Sequence, residues 1–254
     1  MKKLFIAGCS YTNWRDGDCF GESYPALIAK EYPNWHVYDA SECGSANDSV
    51  YLRLRHFEKL YGTPDAIIVQ WTHLKRTTVA LTNDDIPRDF NHATVGNYTF
   101  CEQSDIDFPS VTVGPTSFIP NQSVRRQEQW KQLSTYTMLR LVTLAKFYSW
   151  FLNSRTLFWN TQKEIDLVNA VYGKGNVLMY DWQEVSHHGD LQQSPGSRLT
   201  LPSNWIGSVA DALAKDNKFM QLGVDDAPHY GVEGHLEVYK WLSPHIRKLL
   251  NANI

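Results

Sequence analysis

Ala66-Ile67-Ile68-Val69-Gln70-Trp71, entered through Pro64-Asp65, is the run that most limits what this chain can become. An apolar run bounded by turn signals reads as a strand covered on both faces, as in parallel sheets flanked by helices. The preceding residues supply matching partners. Lys3 to Ala7 reads as a short buried strand, and Tyr24 to Glu31 as an amphipathic helix closed by Pro33. Trp35-His36-Val37-Tyr38 is a second strand, running into the polar turn from Ser41 to Asp48. A helix is expected from about Ser49 to Leu60, with Val50, Leu54 and Phe57 on one face. Strand, helix, strand, helix, strand at this spacing predicts an α/β fold with a doubly wound parallel sheet. Ligands of such sheets sit at the carboxyl ends of the strands. Ser10, the Gly44 turn and Thr72-His73 all follow strand ends and are expected to meet on one rim.

The rest of the chain is less regular. From Thr77 to about Val124 the pattern dissolves into Thr, Asn, Asp, Pro and Gly. A structureless loop of that length is uncommon in a compact domain, so an inserted cap over the rim is expected at about 77–126. Short strands such as Ser110 to Val113 would form part of it. A helical pattern runs from Gln127 to Leu152, and a second from Glu164 to Tyr172. Between them, Leu157-Phe158-Trp159 fits either a fourth strand or a continued helix. Val177 to Tyr180 is a further strand, and 187–204 a second polar excursion. Asn204 to Ala214 is expected to be helical, and Asp225 to Gly231 a loop. A last helix, Glu233 to Leu250, is expected to break or kink at Pro244. His235, at its start, is expected at the surface or as a cap. With no repeat and no linker, residues 1–254 are expected to form one domain.

Composition narrows the function classes. A net charge of −3, without a Lys/Arg block, gives no electrostatic footprint for nucleic acid or an anionic membrane. The start Met1-Lys2-Lys3 followed by Ile6-Ala7-Gly8-Cys9 mimics a lipoprotein signal. Its apolar part is shorter than the roughly 7–15 residues such a signal needs. No run approaches the roughly 18 apolar residues of a membrane helix. The expectation is a soluble protein without membrane insertion, cytoplasmic by default. Cys9, Cys19, Cys43 and Cys101 show no C-x-x-C spacing, and Cys9 and Cys43 read as small buried fillers. His187-His188-Gly189-Asp190 lacks further ligands, so neither a metal nor another cofactor is expected. Many of the 9 Trp and 13 Tyr are expected in the core. A surplus at a cleft would suit stacking on sugar rings or flat acyl groups.

The chemistry gathers at the two ends of the chain. Gly8-Cys9-Ser10-Tyr11-Thr12 sets a serine where the first strand ends. A hydroxyl there can act as a nucleophile, with backbone N–H groups aimed at the oxyanion it creates. The same serine could simply cap a helix. A base is needed, and Asp226-Ala227-Pro228-His229 offers an imidazole with a carboxylate three residues before it. Asp225 could orient the imidazole instead, at a less apt spacing. Gly44 is either a turn glycine or an N–H donor, and Asn47 either a donor or a cap for the following helix.

These blocks resemble those of the SGNH, or GDSL-type, serine hydrolases, which cleave acyl esters on a flavodoxin-like αβα sandwich. Their first block, G-D-S-x-T, is matched by Gly8 to Thr12 with cysteine in place of aspartate. Gly44 matches the glycine of their second block, and Asp226 and His229 match their D-x-x-H. Their third block, G-x-N-D, is replaced by Gln70-Trp71-Thr72-His73, which lacks the oxyanion-binding asparagine. The resemblance implies catalysis by Ser10, His229 and Asp226, and an oxyanion hole from Ser10 and Gly44. Asn47, Thr72 or His73 would add a third donor. Tyr11, Trp71 and His73 are the expected substrate contacts. The implied substrate is a small-molecule or carbohydrate ester, cleaved as a carboxylesterase or O-deacetylase would. Acyl transfer to another acceptor would use the same residues. The cysteine–serine start also resembles members encoded by tailed bacteriophages. The rival is a non-catalytic or weakly active binding or virion-associated protein that keeps the fold.

Overall fold

A computed structural model describes residues 1–9, 11–12, 22–41, 45–72, 77–80, 92–95, 98–101, 110–113, 118–120, 156–182, 199–213 and 231–251. Its first half follows the expected alternation: β1 (Lys2–Ala7), α1 (Tyr24–Glu31), β2 (Trp35–Asp39), α2 (Val50–Tyr61) and β3 (Ala66–Trp71). A 3-10 turn, Asn47–Ser49, leads into α2. Pro25 stands in the first turn of α1, where a missing N–H costs nothing. Gly62 ends α2 at φ 76°, a left-handed conformation that lets its N–H reach the Glu58 carbonyl at 2.9 Å.

Five short strands follow: β4 (Thr77–Ala80), β5 (His92–Val95), β6 (Tyr98–Cys101), β7 (Ser110–Val113) and β8 (Phe118–Pro120). Then come α3 (Thr156–Tyr172), β9 (Val177–Asp181), β10 (Trp205–Ser208), α4 (Val209–Leu213) and α5 (Val232–Asn251). The main sheet has the order β10-β9-β3-β1-β2-β6-β5. β1, β2, β3, β9 and β10 are mutually parallel. Counted in chain order, those five run 2-1-3-4-5, the order of flavodoxin-like doubly wound sheets.

Strand alternation divides the core into two layers. On one face Leu4, Ile6, Val37, Ile68 and Tyr180 pack with Ile28 of α1 and Val238, Leu242 and Ile246 of α5. On the other, Phe5, Ile67, Val69 and Met179 pack with Leu54 and Phe57 of α2 and Ile165 and Val168 of α3. Phe5 and Phe57 meet with ring centroids 5.0 Å apart. The sheet is therefore sandwiched between two helical layers, and its strands are apolar because both faces are covered.

Several expectations change. Within 77–126 the described strands divide between two sheets. β6 pairs parallel with β2 and antiparallel with β5, extending the main sheet at its edge. β4, β7 and β8 form a separate antiparallel sheet, in which Ser110 to Val113 is the expected strand. Leu157 to Trp159 belongs to α3. The helix expected over Asn204 to Ala214 is replaced by β10 and the short α4. Gly207 sits at φ 118°, outside any right-handed helix, and Trp205 aligns with Met179 of β9 instead. α5 runs through Pro244 without a break. Pro244 and Lys240 are both exposed, so water can serve the carbonyl that proline leaves without a donor. The expected helix 127–152 and most of the 187–204 excursion, with His187 to Asp190, lie outside the described residues. Among the described residues no helix is long and apolar enough to cross a membrane, and no three His, Cys, Asp or Glu cluster as metal ligands.

Candidate functional site

In the order 2-1-3-4-5 the chain reverses direction between β1 and β3, and the crevice at their carboxyl ends is the usual ligand position. Gly8 and Cys9 leave β1 there. Gln70, near the end of β3, is buried, and its Oε1 gathers the turn. It accepts the Cys9 N–H at 3.3 Å and the Thr12 hydroxyl. The Thr12 N–H donates to the Cys9 carbonyl at 2.9 Å, tying together the two flanks of position 10. A Cβ on Gly8 would overlap Thr12 Oγ1 and lie 2.9 Å from Gln70 Oε1. Glycine at position 8 is thus required by close approach. Cys9 is fully buried, as expected of a small filler.

Below this turn Tyr180 donates its hydroxyl to that of Tyr24 at 2.7 Å, and both phenols stand next to Thr12. Burial pushes both phenols above their ordinary range, so they stay protonated. Tyr11 packs against the same layer. Its ring stacks on Trp182, just past β9, with centroids 4.0 Å apart and planes 16° from parallel. Tyr11 is half-buried and remains a candidate rim contact.

The end of β2 is held by Asp39 and Arg53, both buried. Asp39 Oδ1 accepts the N–H of Ser41 at 3.0 Å and its hydroxyl. Arg53 reaches back from α2, donating through Nη1 to the Ala40 carbonyl at 2.6 Å. Through Nη2 it donates to Ser49 Oγ at 2.8 Å and to Ser45 Oγ. One guanidinium therefore ties Ala40, at the end of β2, to Ser45 and Ser49 before α2.

At the end of β3 Asn47 brackets the Thr72 backbone. Its Oδ1 accepts the Thr72 N–H at 2.8 Å, and its Nδ2 donates to the Thr72 carbonyl at 3.1 Å and to Thr161 Oγ1 at 3.3 Å. Both amide hydrogens of Asn47 thus have protein acceptors. Asn47 does not cap α2: its side chain bonds to Thr72 and Thr161, and Ser49 holds the N-cap position. The α2 N-terminus instead receives Glu164 of α3, whose Oε2 accepts the Tyr51 N–H at 3.2 Å. Trp71, expected as a substrate contact, is fully buried in the Phe5–Val69 layer. Alternation turns its ring into the core rather than toward a cleft.

His235 corrects another expectation. It is buried, not at the surface, and its Nδ1 accepts the Tyr24 N–H at 3.4 Å. It thereby caps α1, a helix distant in sequence, and burial lowers its pKa to about 4. Ser10, Gly44, His73, Asp225, Asp226 and His229 lie outside the described residues, as do Cys19 and Cys43. The site residues that sequence reasoning missed are Gln70 and Arg53. Arg53 left a signal, because it interrupts the apolar stripe Val50, Leu54, Phe57 at a core-facing position. Gln70 left a weaker one, as the polar residue in the apolar run of β3.

Glu164 gives the described rim a pH dependence. Burial, with the neighbouring Asp48 carboxylate, raises its pKa from 4.5 to about 7. Across that window the folded chain holds a proton that the unfolded chain releases, so this group's contribution to stability falls as pH rises. His235 has the opposite slope, losing stability as pH drops from 6.5 toward 4. Glu164→Gln keeps an acceptor for Tyr51 and removes the first slope only. At pH 8 it should gain about 1–2 kcal/mol after allowing for solvent screening, and at pH 4.5 almost nothing. Thermal melts of both proteins across this range measure the difference; equal shifts at both pH values would contradict it.

Neither a protein-family model nor a curated protein matches this chain.

Proposed function

We propose that this chain is a serine-dependent hydrolase of acyl esters of the SGNH or GDSL type. One observation carries the reading: the Gly8–Thr12 turn leaves β1 at the switch point and is locked to β3 through Gln70. A rigid strand end at that crevice suits a nucleophile that must be held still. In this reading His229 takes the Ser10 proton, and Ser10 attacks the acyl carbonyl. The oxyanion is held by the N–H groups of Ser10 and Gly44. Asp226 keeps the imidazole in its tautomer and stays ionised. His229 then protonates the leaving alcohol, and water clears the acyl-enzyme. With the Asn47 hydrogens engaged on Thr72 and Thr161, the third donor falls to Thr72 or His73.

The β4-β7-β8 sheet supports a cap beside this crevice, because β4 runs against the Asn47–Ser49 turn at the rim. A capped rim with the Tyr11–Trp182 stack nearby fits a short acyl group on a carbohydrate or other small alcohol. The test is a fluorophosphonate probe followed by peptide mapping. The adduct is expected on Ser10 in the native protein, and absent from His229→Ala. A folded native protein that takes no label would overturn the reading.

A second reading is favoured by the Asn47 geometry. A rim whose best-placed side-chain amide is spent on structure could belong to a binding protein that keeps the fold without turnover. That protein would bind acylated sugar while leaving the probe unreacted.

A further inference from the structure

Side chains hold α3 at two points against the corner formed by the Asn47–Ser49 turn and the head of α2. Asn47 Nδ2 donates to Thr161 Oγ1 at 3.3 Å, and Glu164 Oε2, one turn further along α3, accepts the Tyr51 N–H at 3.2 Å. The first N–H groups of a helix lack intrahelical acceptors, so the Glu164 carboxyl group serves the end of α2 while it joins the two helices. Asn47 passes the contact on to the end of β3, because the same side chain brackets the N–H and carbonyl of Thr72 at 2.8 and 3.1 Å. One relay of hydrogen bonds thus runs from α3 to the β3 side of the crevice.

The groups around Glu164 pull against one another. Burial between the helices is the largest effect and favours the neutral acid, as does the Asp48 carboxylate in the turn before α2. The Tyr51 N–H, at the positive end of α2, and the Lys163 ammonium favour the ionised form. Burial prevails, and the pKa stands at about 7. The other charges on this interface face elsewhere. Arg55 and Glu58 of α2 pair with each other and flank Tyr172, and Asp166 of α3 accepts a hydrogen bond from Gln162. β4, which lies against the Asn47–Ser49 turn, reads Thr-Thr-Val-Ala and brings no titratable side chain.

We propose that Glu164 is a pH-operated latch, whose ionisation releases α3 from the Asn47–Tyr51 corner and loosens the backbone at Thr72. When the joint opens, the carboxylate reaches water and leaves the Asp48 charge behind. Between the ordinary carboxyl value of 4.5 and about 7, the closed joint holds a proton that the open joint gives up. Opening therefore becomes easier as pH rises through that window and levels off above it. The latch sets how firmly the β3 side of the crevice is held, and it does not rest on the esterase reading.

The experiment follows amide hydrogen exchange by NMR from pH 5 to pH 8, corrected for the intrinsic exchange rate, in native protein and Glu164→Gln. In native protein the protection of the Tyr51 and Thr72 amides should fall together by about tenfold or more. Full linkage would give about tenfold per pH unit, and the partial exposure of Glu164 reduces it. Both amides should exchange faster than that of Ile68, in the middle of β3, which marks the opening as local. Glu164→Gln keeps an acceptor for Tyr51 but cannot ionise, so its protection should stay level. If that variant fails to fold, Asp48→Asn removes the like charge and should move the midpoint of the fall to lower pH; an unmoved midpoint counts against the latch. Level protection in native protein, an equal fall in Glu164→Gln, a fall at Tyr51 that Thr72 does not share, or exchange no faster than at Ile68 overturns the proposal. Each of these results leaves labelling at Ser10, and with it the esterase reading, untouched.

Discussion

Ser10→Ala should lower turnover of a short-chain p-nitrophenyl ester by about 10⁴-fold or more, with an unchanged melting temperature. The magnitude follows from losing the covalent route altogether: what remains is binding and oxyanion stabilisation without an acyl-enzyme. The described lock on the turn is kept in the variant. The lock on this turn runs through the Cys9 N–H, Cys9 carbonyl, Thr12 hydroxyl and Gln70 amide, none of which is the Ser10 side chain. Turnover and a thermal melt on the same preparation check both halves. Native turnover in the variant would remove the nucleophile from position 10, and with it the mechanism proposed above.

Gly8→Ala is expected to damage both stability and activity. The added methyl group would occupy the space of Thr12 Oγ1 and crowd Gln70 Oε1 at 2.9 Å. Neither neighbour can yield cheaply. Thr12 is short, β-branched and fully buried, and Gln70 is held from two sides by Cys9 and Thr12. Overpacking of this kind costs about 1–3 kcal/mol. Relief requires Thr12 to leave Gln70, which frees the turn carrying the nucleophile. Denaturant unfolding should show the stability loss, and labelling at Ser10 should fall by more than stability alone explains. Ser10→Ala and Gly8→Ala therefore separate chemistry from its support, since only the second should move the unfolding midpoint.

The candidate site was legible in part. Gly8 and Thr12 stand out as a motif, but the reason for them does not, because Gln70 meets them from about sixty residues away. In sequence Asn47 fits an oxyanion donor or a helix cap. Its actual bonds run to Thr72 and Thr161, on two elements that no local pattern ties to it. In sequence Trp71 looks like a site residue because of its neighbours in the motif. Its burial was decided by which face of β3 it takes and by the α2 and α3 side chains covering that face.

The amino-acid sequence by itself determined the β-α-β-α-β alternation through residue 71, the strand Val177 to Tyr180 and the last helix. Apolar period, capping residues and turn signals act over a few neighbours, so a linear reading captures them. Only the tertiary structure decided that Trp205 to Ser208 is a strand on β9, that β6 extends the sheet beside β2, and that His235 and Arg53 are buried. In each case the deciding bond or surface comes from a segment far along the chain. A strand edge accepts any backbone that reaches it in register, and a polar side chain becomes core only when distant acceptors close around it.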